Sequence, residues 1–406
     1  MKRDGRAPTR VLYVHRTQGR GVEGVHIAGT VNSLRAFGYG VDVISPLADG
    51  TSAATSSERT RPSPRKASRR MNWLSRVAPE ILFELAEIAY NLVGRRRLGP
   101  EPPAEIAFLY ERYAIFAWYA QSWARRNRVL HVLEVNYTAM SPLLRKRSRL
   151  LRPLAIRCDR ALLPRADVVV AVSSQLRDHL VRDYEVDARR IVLIPNAADP
   201  EAFDPATPPL DRLNGVSLRD RQVIGFVGTF SPWHGLDLLV SAFMQVAARV
   251  RDAVVLLVGD GPERNRIERI ARESVLASRF VFAGEVPHRE LPCMLASFTV
   301  GVLPHTNDYG SPMKIFEYMA MGKAVVAPAV GPVLDVIRDE VNGVLFRPGD
   351  AGHLGERLLW VLEDAQRLRQ IGAAARRTIE NEHNWRRHTE RVVAAVKSAA
   401  ASRAFA

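Results

Sequence analysis

Short apolar runs separated by helix-length stretches dominate the chain. RVLYV (10–14) is followed by a glycine-bearing loop, a helix near 24–38 and GVDVIS (40–45), which stops at Pro46. Runs this short and this rich in β-branched residues predict strands. IAFLYERY, VLHVLEVN, ADVVVAVS and RIVLIPN continue the alternation to about residue 195. WLSRVAPEILFELAEIAYNLV (73–93) takes helical periodicity after Pro79, whereas 47–70, rich in Ser, Thr, Pro and Arg, predicts a loop. A second series follows a segment rich in Asp and Pro (196–215): VIGFVGTF, AVVLLVGDG, FVFAGEV, VGVLP, AVVAP and GVLFRPGD, with helices between. Strands with no polar alternation, spaced by helices, imply parallel sheets covered on both faces. The predicted class is therefore α/β, with two Rossmann-like, doubly wound domains facing a cleft. The expected division is 1–200, 201–385, and a C-terminal helix over 386–406 packing back toward the first domain.

Length agrees, because 406 residues exceed one ordinary core. Two cysteines, Cys158 and Cys293, give no disulfide framework and no Cys-based metal spacing. The N-terminus runs from charges into a strand without an apolar signal core, and no uncharged apolar run is long enough to span a bilayer. These features predict a cytoplasmic protein. Net charge is +15, and it is unevenly distributed. Residues 1–200 hold 33 Lys+Arg against 19 Asp+Glu (+14), and residues 201–406 hold 25 against 24 (+1). That asymmetry predicts an anionic partner for the first half.

Candidate chemistry concentrates in HTNDYGSPMKIFEYMAMGKAVVAP (305–328). Ser311–Pro312 predicts an N-cap followed by proline at the first helical position. Lys314 then falls in the first turn, where a cation opposes the helix dipole unless an anion lands there. A phosphate would draw the free N–H groups, the Ser311 hydroxyl and the Lys314 ammonium together. Glu317, three positions on, shares that face and suits the two hydroxyls of a ribose. The plain alternative is a surface Lys–Glu pair above core residues Met313, Ile315, Phe316 and Met319. The strand that follows places this helix end at the carboxyl edge of a parallel sheet, where ligands bind.

The string SPMKIFEYMAMGKAVVAP resembles the donor-site signature of glycosyltransferase family 4, in the subgroup carrying SP-x-K ahead of EYMA. GFVGTFSPWHGLDLLVSAF, LLVGDGPERNRIE, FAGEVPHRELPCMLA and VLIPNAADPEAF fall in the family's order, and VEGVHI, YERY and LEVN are similar to its N-terminal strings. The resemblance runs from about residue 10 to 395 and implies the GT-B fold. It also implies a nucleoside diphosphate sugar as donor substrate, with no cofactor and no metal. In the donor site it implies that Glu317 holds the ribose and that Ser311 and Lys314 meet the diphosphate. Gly228, Thr229 and Phe230 would line the phosphates, with Gly259 and Gly261 beside them. Val286 and Pro287 would hold the base, and Asp308, Tyr309 and Gly310, ahead of the helix, would also bind the donor. Gly24 would approach from the opposite side of the cleft.

Departures from the family's pattern are specific. The acid usual eight places before Glu317 is Tyr309, and Thr229 and His234 stand where many members carry Arg and Lys. His234 either donates to phosphate or occupies a solvated turn. Gly19-Arg20-Gly21-Val22-Glu23-Gly24 satisfies G-x-G-x-x-G, but the next strand ends in Ser45–Pro46 without the acid a dinucleotide site needs. Implied catalysis is retention by front-side attack, with Lys314, Ser311 and the helix end stabilising the departing phosphate. The same resemblance makes His26, Glu111, Arg112, Glu134 and Asn136 acceptor-side candidates.

Basic clusters at 61–70, 94–97 and 145–157, interleaved with Leu, Trp and Ile, suit an anionic membrane surface or a lipid-linked or polysaccharide acceptor. A nucleotide-sugar epimerase or a glycan synthase of the same fold is the enzyme alternative. A basic nucleic-acid-binding module is the alternative of another class. It would need stacking platforms or a known motif, and the sequence shows none, so nucleic acid is not an expected partner.

Overall fold

The computed structural model describes residues 9–17, 21–47, 80–103, 105–141 and 150–404. Calls on 48–79 and 142–149, including the basic clusters at 61–70 and 145–149, lie outside the described residues. The chain divides into two units: 1–194 with 389–406, and 195–388.

In the first unit, β1 (Arg10–Val14), α1 (Gly21–Ala36), β2 (Gly40–Ile44), α2 (Glu80–Leu98) and β3 (Ile106–Arg112) lead into α3 (Tyr119–Arg126) and β4 (Leu130–Val135). Then come α4 (Arg152–Leu162), β5 (Val168–Ala171), α5 (Ser174–Tyr184) and β6 (Ile191–Leu193). The six strands are parallel in the order β2-β1-β3-β4-β5-β6. Strand order reverses between β1 and β3, and this is the point where an open parallel sheet leaves a crevice at its carboxyl edge.

After a short hairpin, β7 (Arg212–Leu213) and β8 (Val216–Ser217), the second unit starts β9 (Gln222–Val227), α6 (Leu236–Arg249), β10 (Ala253–Val258), α7 (Arg264–Glu273) and β11 (Phe280–Gly284). It continues through α8 (Leu291–Ala296), β12 (Val300–Val302), α9 (Met313–Ala320), β13 (Ala324–Pro328), α10 (Gly331–Leu334) and β14 (Val344–Phe346). Helices α11 (Ala351–Leu362), α12 (Ala365–Asn381) and α13 (Trp385–Ala404) close the chain. Strand order is β11-β10-β9-β12-β13-β14, all parallel, with its reversal between β9 and β12.

Both sheets are buried on both faces, as unalternated apolar strands require. Ile224 and Phe226 of β9 join the layer under α6 and α11, while Val223 joins the layer under α9 and α12. In the first unit Val11, Tyr13, Phe108 and Tyr110 pack with Val392 and Val396 of α13. The unit boundary precedes the Asp- and Pro-rich segment 196–215: Asn196–Asp199 stay with the second unit, where Ala198 N donates to His383 O at 3.1 Å and pairs with Asn384.

Candidate functional site

The donor-side residues gather at the carboxyl edge of the second unit's sheet, at its switch point. β9 ends in Gly228, whose φ of 142° lies where side-chain-bearing residues rarely go. Its N–H donates to Val258 O at 3.0 Å, and Phe230 N–H to Asp260 O at 2.8 Å. The turns after β9 and β10 are thus laced together through backbone, and two glycines permit the approach. A Cβ on Gly259 would sit 2.0 Å from Gly228 O, and one on Gly261 would sit 2.6 Å from Phe230 N. Phe230 is buried, whereas Thr229 faces solvent.

Lys314 is nearly buried in the first turn of α9, at 9% exposure. Its Nζ lies 4.5 Å from the centre of the Phe226 ring. It also lies close enough to Gly228 that a Cβ there would come within 2.9 Å. The ammonium donates to His234 Nε2 at 2.9 Å. His234 Nδ1 faces Thr229 O at 2.5 Å, and a carbonyl only accepts, so Nδ1 carries the proton and Nε2 the lone pair. His234 is therefore a neutral acceptor for Lys314, which corrects both the solvated-turn reading and the phosphate-donor reading. Burial first, then the Lys314 charge, hold its pKa down to about 3. Burial also pushes Lys314 down to about 7, against the pull of Glu317.

Glu317 shares the face but turns to His288 Nε2, 3.2 Å from its Oε1. The predicted i,i+3 pair is thus split between two histidines. Ser311 is not the N-cap: Pro312 is, in extended conformation (ψ 108°), and α9 starts at Met313. The Ser311 Oγ accepts instead from Asn196 N–H at 3.0 Å, and its carbonyl from Asn196 Nδ2 at 2.6 Å. Its hydroxyl proton is still available to donate. Asn307 Oδ1 accepts from Tyr309 N and Gly310 N, which folds 307–310 into a turn ahead of α9 and leaves Asp308 exposed. Val286, half-buried, and Pro287, exposed, follow β11 and lead into the turn that carries His288.

Four of the five acceptor-side candidates meet at the carboxyl ends of β3 and β4. Glu134 Oε1 accepts from Arg112 Nη1 at 2.6 Å and Asn136 Nδ2 at 2.7 Å, and Oε2 from Tyr110 at 2.7 Å. His26 lies against both charges, its Nδ1 2.9 Å from Arg112 and its Nε2 3.6 Å from Glu134. Burial, the largest single influence, works against the Arg112 charge, but Glu134 and the other groups around it together raise its pKa. Glu111 does not join them. Alternation along β3 sends it to the other face, where Oε2 meets His131 at 2.7 Å. Gly24 lies inside α1, in its first turns, because that helix begins at Gly21 and not near residue 24.

Sequence reasoning missed four contributors. His288 and Asn196 lie inside quoted strings but carry no spacing of their own. His15, beyond β1, keeps Nδ1 facing Thr17 N at 3.3 Å, and among the described residues its buried Nε2 has no hydrogen-bond partner. Burial first, then the Arg112 charge, hold His15 down to about 4. Tyr13 stacks on Tyr110, ring centres 5.2 Å apart.

Two doubly wound units, one holding a buried lysine at a helix start on the sheet's switch point, define the class of protein. Residues 21–202 match the family model described as Glycosyltransferase Family 4, and residues 221–364 that described as Glycosyl transferases group 1. Together these matches span most of the chain, which is similar in both halves to glycosyltransferases and has the GT-B fold. The 2-deoxystreptamine glucosyltransferase of Streptomyces kanamyceticus is 30% identical over 53% of this chain and 56% of its own length. The chain spans about half the length of the curated relatives it matches. A glycosyltransferase from Rickettsia africae has the same fold (TM-score 0.69, 18% identity, 96% of this chain and 98% of that one). So does Anabaena HepE in complex with UDP-glucose (TM-score 0.66, 17% identity, 96% and 99%).

Proposed function

We propose that this chain is a retaining, metal-independent glycosyltransferase. It moves a hexose-type sugar from a nucleoside diphosphate sugar to a carbohydrate or lipid-linked glycan acceptor. One observation carries the reading. Lys314 is a buried cation at the start of α9 whose hydrogen-bond partner, His234, is neutral. An unbalanced buried cation beside free helix N–H groups suits a diphosphate.

In this reading Lys314 and the N–H groups of α9 take up the charge that builds on the diphosphate as the glycosidic bond breaks. The Ser311 proton adds a third donor. Such preorganised donors act without reorganisation at the moment of reaction. Glu317 receives the ribose hydroxyls on release from His288. The turns at 228–230 and 259–261 line the phosphates with backbone, and Val286 and Pro287 flank the base. His26, Arg112, Glu134 and Asn136 belong to the acceptor side. The subgroup is the one carrying SP-x-K. HepE's complexes with UDP and UDP-glucose make a uridine donor the first to test. Among the described residues no helix is long and apolar enough to cross a membrane. A cytoplasmic enzyme resting on an anionic membrane face fits the +14 balance of residues 1–200.

Thermal unfolding with UDP, GDP and ADP, each with and without chelator, tests the donor half of the proposal. A rise in midpoint with one diphosphate, unchanged by chelator and lost in Lys314→Ala, is expected. Stabilisation that survives Lys314→Ala, or that needs a divalent cation, sinks it.

A further inference from the structure

Helix α2 is amphipathic the wrong way round. Its inward face carries Glu84, Asn91 and Gly94, all buried. Asn91 alone serves four backbone groups: its Nδ2 donates to Ile88 O at 2.9 Å and Phe116 O at 2.7 Å, and its Oδ1 accepts from Trp118 N and Tyr119 N. Glu84 Oε2 accepts from Leu151 N at 3.1 Å, Glu87 pairs with Arg16 at 3.1 Å, and Gly94 lies against the Tyr119 ring. Five hydrophobic residues point the other way, while Leu98 in the last turn is buried. Leu82, Leu85 and Leu92 are 53%, 50% and 68% exposed, and Val93 and Ile81 are exposed beside them.

Positions 82, 85, 89, 92, 93 and 96 fall within one helical stripe, so the exposure is a continuous face ending in Arg96 and not a scatter of leucines. A surface helix of a globular domain normally does the reverse. Leu150 and Leu154, also exposed, belong to the segment that Glu84 ties to α2.

Charge selects the occupant. Between Ile81 and Arg97 both acids, Glu84 and Glu87, belong to the inward side, and the last turn carries Arg95, Arg96 and Arg97. Arg95 and Arg96 are exposed, and α4 adds the exposed Arg152, Arg157 and Arg160. An apolar stripe without acids, ending in arginines, suits the boundary between headgroups and acyl chains in an anionic bilayer.

We propose that the outward face of α2 is the membrane-docking element of this protein, with Leu82, Leu85 and Leu92 immersed and Arg95 and Arg96 on lipid phosphates. The proposal rests on the membrane part of the reading above and is independent of the donor chemistry. It is tested by flotation of the whole chain with phosphatidylcholine vesicles, with and without phosphatidylglycerol.

Binding that needs phosphatidylglycerol is expected. The triple variant Leu82→Ser, Leu85→Ser, Leu92→Ser should weaken it about a hundredfold while leaving the unfolding midpoint unchanged. Arg95→Gln with Arg96→Gln should cost about tenfold and flatten the salt dependence. If the triple variant binds as well as the parent, this face is overturned while the membrane reading stands. If the parent binds neither vesicle, both fall. Loss of a dimer in the triple variant, with no vesicle binding by the parent, would assign the stripe to a protein contact and also overturn the proposal.

Discussion

Each unit buries a charge near the carboxyl edge of its sheet, and the two burials differ in kind. Glu134, with no exposed surface, collects an arginine, a tyrosine hydroxyl and an asparagine amide on its two oxygens. Its charge is matched by Arg112 and its lone pairs are occupied. Lys314, at 9% exposure, meets a neutral imidazole and an aromatic face, while the acid one turn along is engaged elsewhere. A buried charge with its counter-charge in hand is balanced without a ligand. One whose bonded partners are neutral, with the nearest acid tied to another residue, is held ready for an anion, at a cost to the free protein. Burial alone would rank the two together, and the partners separate them.

The sharpest way to break this contrast is to remove one member of each site. Glu134→Leu strands the Arg112 guanidinium, so we expect a loss of about 3–5 kcal/mol in urea unfolding. Lys314→Met strands no charge and should leave stability equal or higher. Its effect should fall on catalysis, as a loss of about 100-fold in turnover at saturating donor, the scale of one preorganised donor. A Glu134→Leu protein as stable as the parent, or a Lys314→Met protein with full turnover, would reverse the assignment.

Most of the fold was legible in the sequence because both sheets are parallel and buried. Such strands announce themselves as apolar runs, and the 3.6-residue period of α2 was visible after Pro79. What could not be read was which side of that helix faces inward, because period reports that a face exists and not what it packs against. Lys314 was singled out because the sequence fixes its place against the helix dipole. The histidines were not legible in the same way. His234 and His288 take their roles from chain segments 80 and 29 residues away, and a lone histidine in a loop has no period. Ser311 was misplaced because a Ser-Pro pair can open a helix, yet the extended Pro312 here leaves its hydroxyl to Asn196. Glu111 was grouped with Arg112 by adjacency in a string, although neighbours on a strand face opposite ways.

His234 offers a smaller perturbation on the Lys314 side. If its lone pair fixes the ammonium against Phe226, His234→Ala should raise the donor KM about tenfold and cost about 1–3 kcal/mol of stability, since the bond from the ammonium and the Nδ1–H bond to Thr229 O are both lost. His234→Gln, whose amide oxygen can also accept, should recover part of it. An equal effect of both variants on kcat and KM, with no recovery by Gln, would mean that the loop and not the lone pair matters.

The smallest expected effect is in the pH dependence of donor binding. Free Lys314 titrates at about 7, and a bound diphosphate must raise that value because it favours the cation. Affinity for UDP should then be full below the free value and decline as pH rises through it. Linkage gives about half the affinity at the free pKa and about a quarter half a unit higher, until the bound form begins to titrate. Stability of the free protein should move the other way. An unfolded lysine keeps its proton to its ordinary value of 10.5 while the folded one loses it near 7, so the unfolded state binds more protons between the two and folding gains with pH. His234 stays out of both titrations, being neutral down to about 3. Calorimetry with UDP across neutrality, on the parent and on Lys314→Met, separates these slopes. A pH profile shared by both proteins would show that the diphosphate does not read the charge on Lys314.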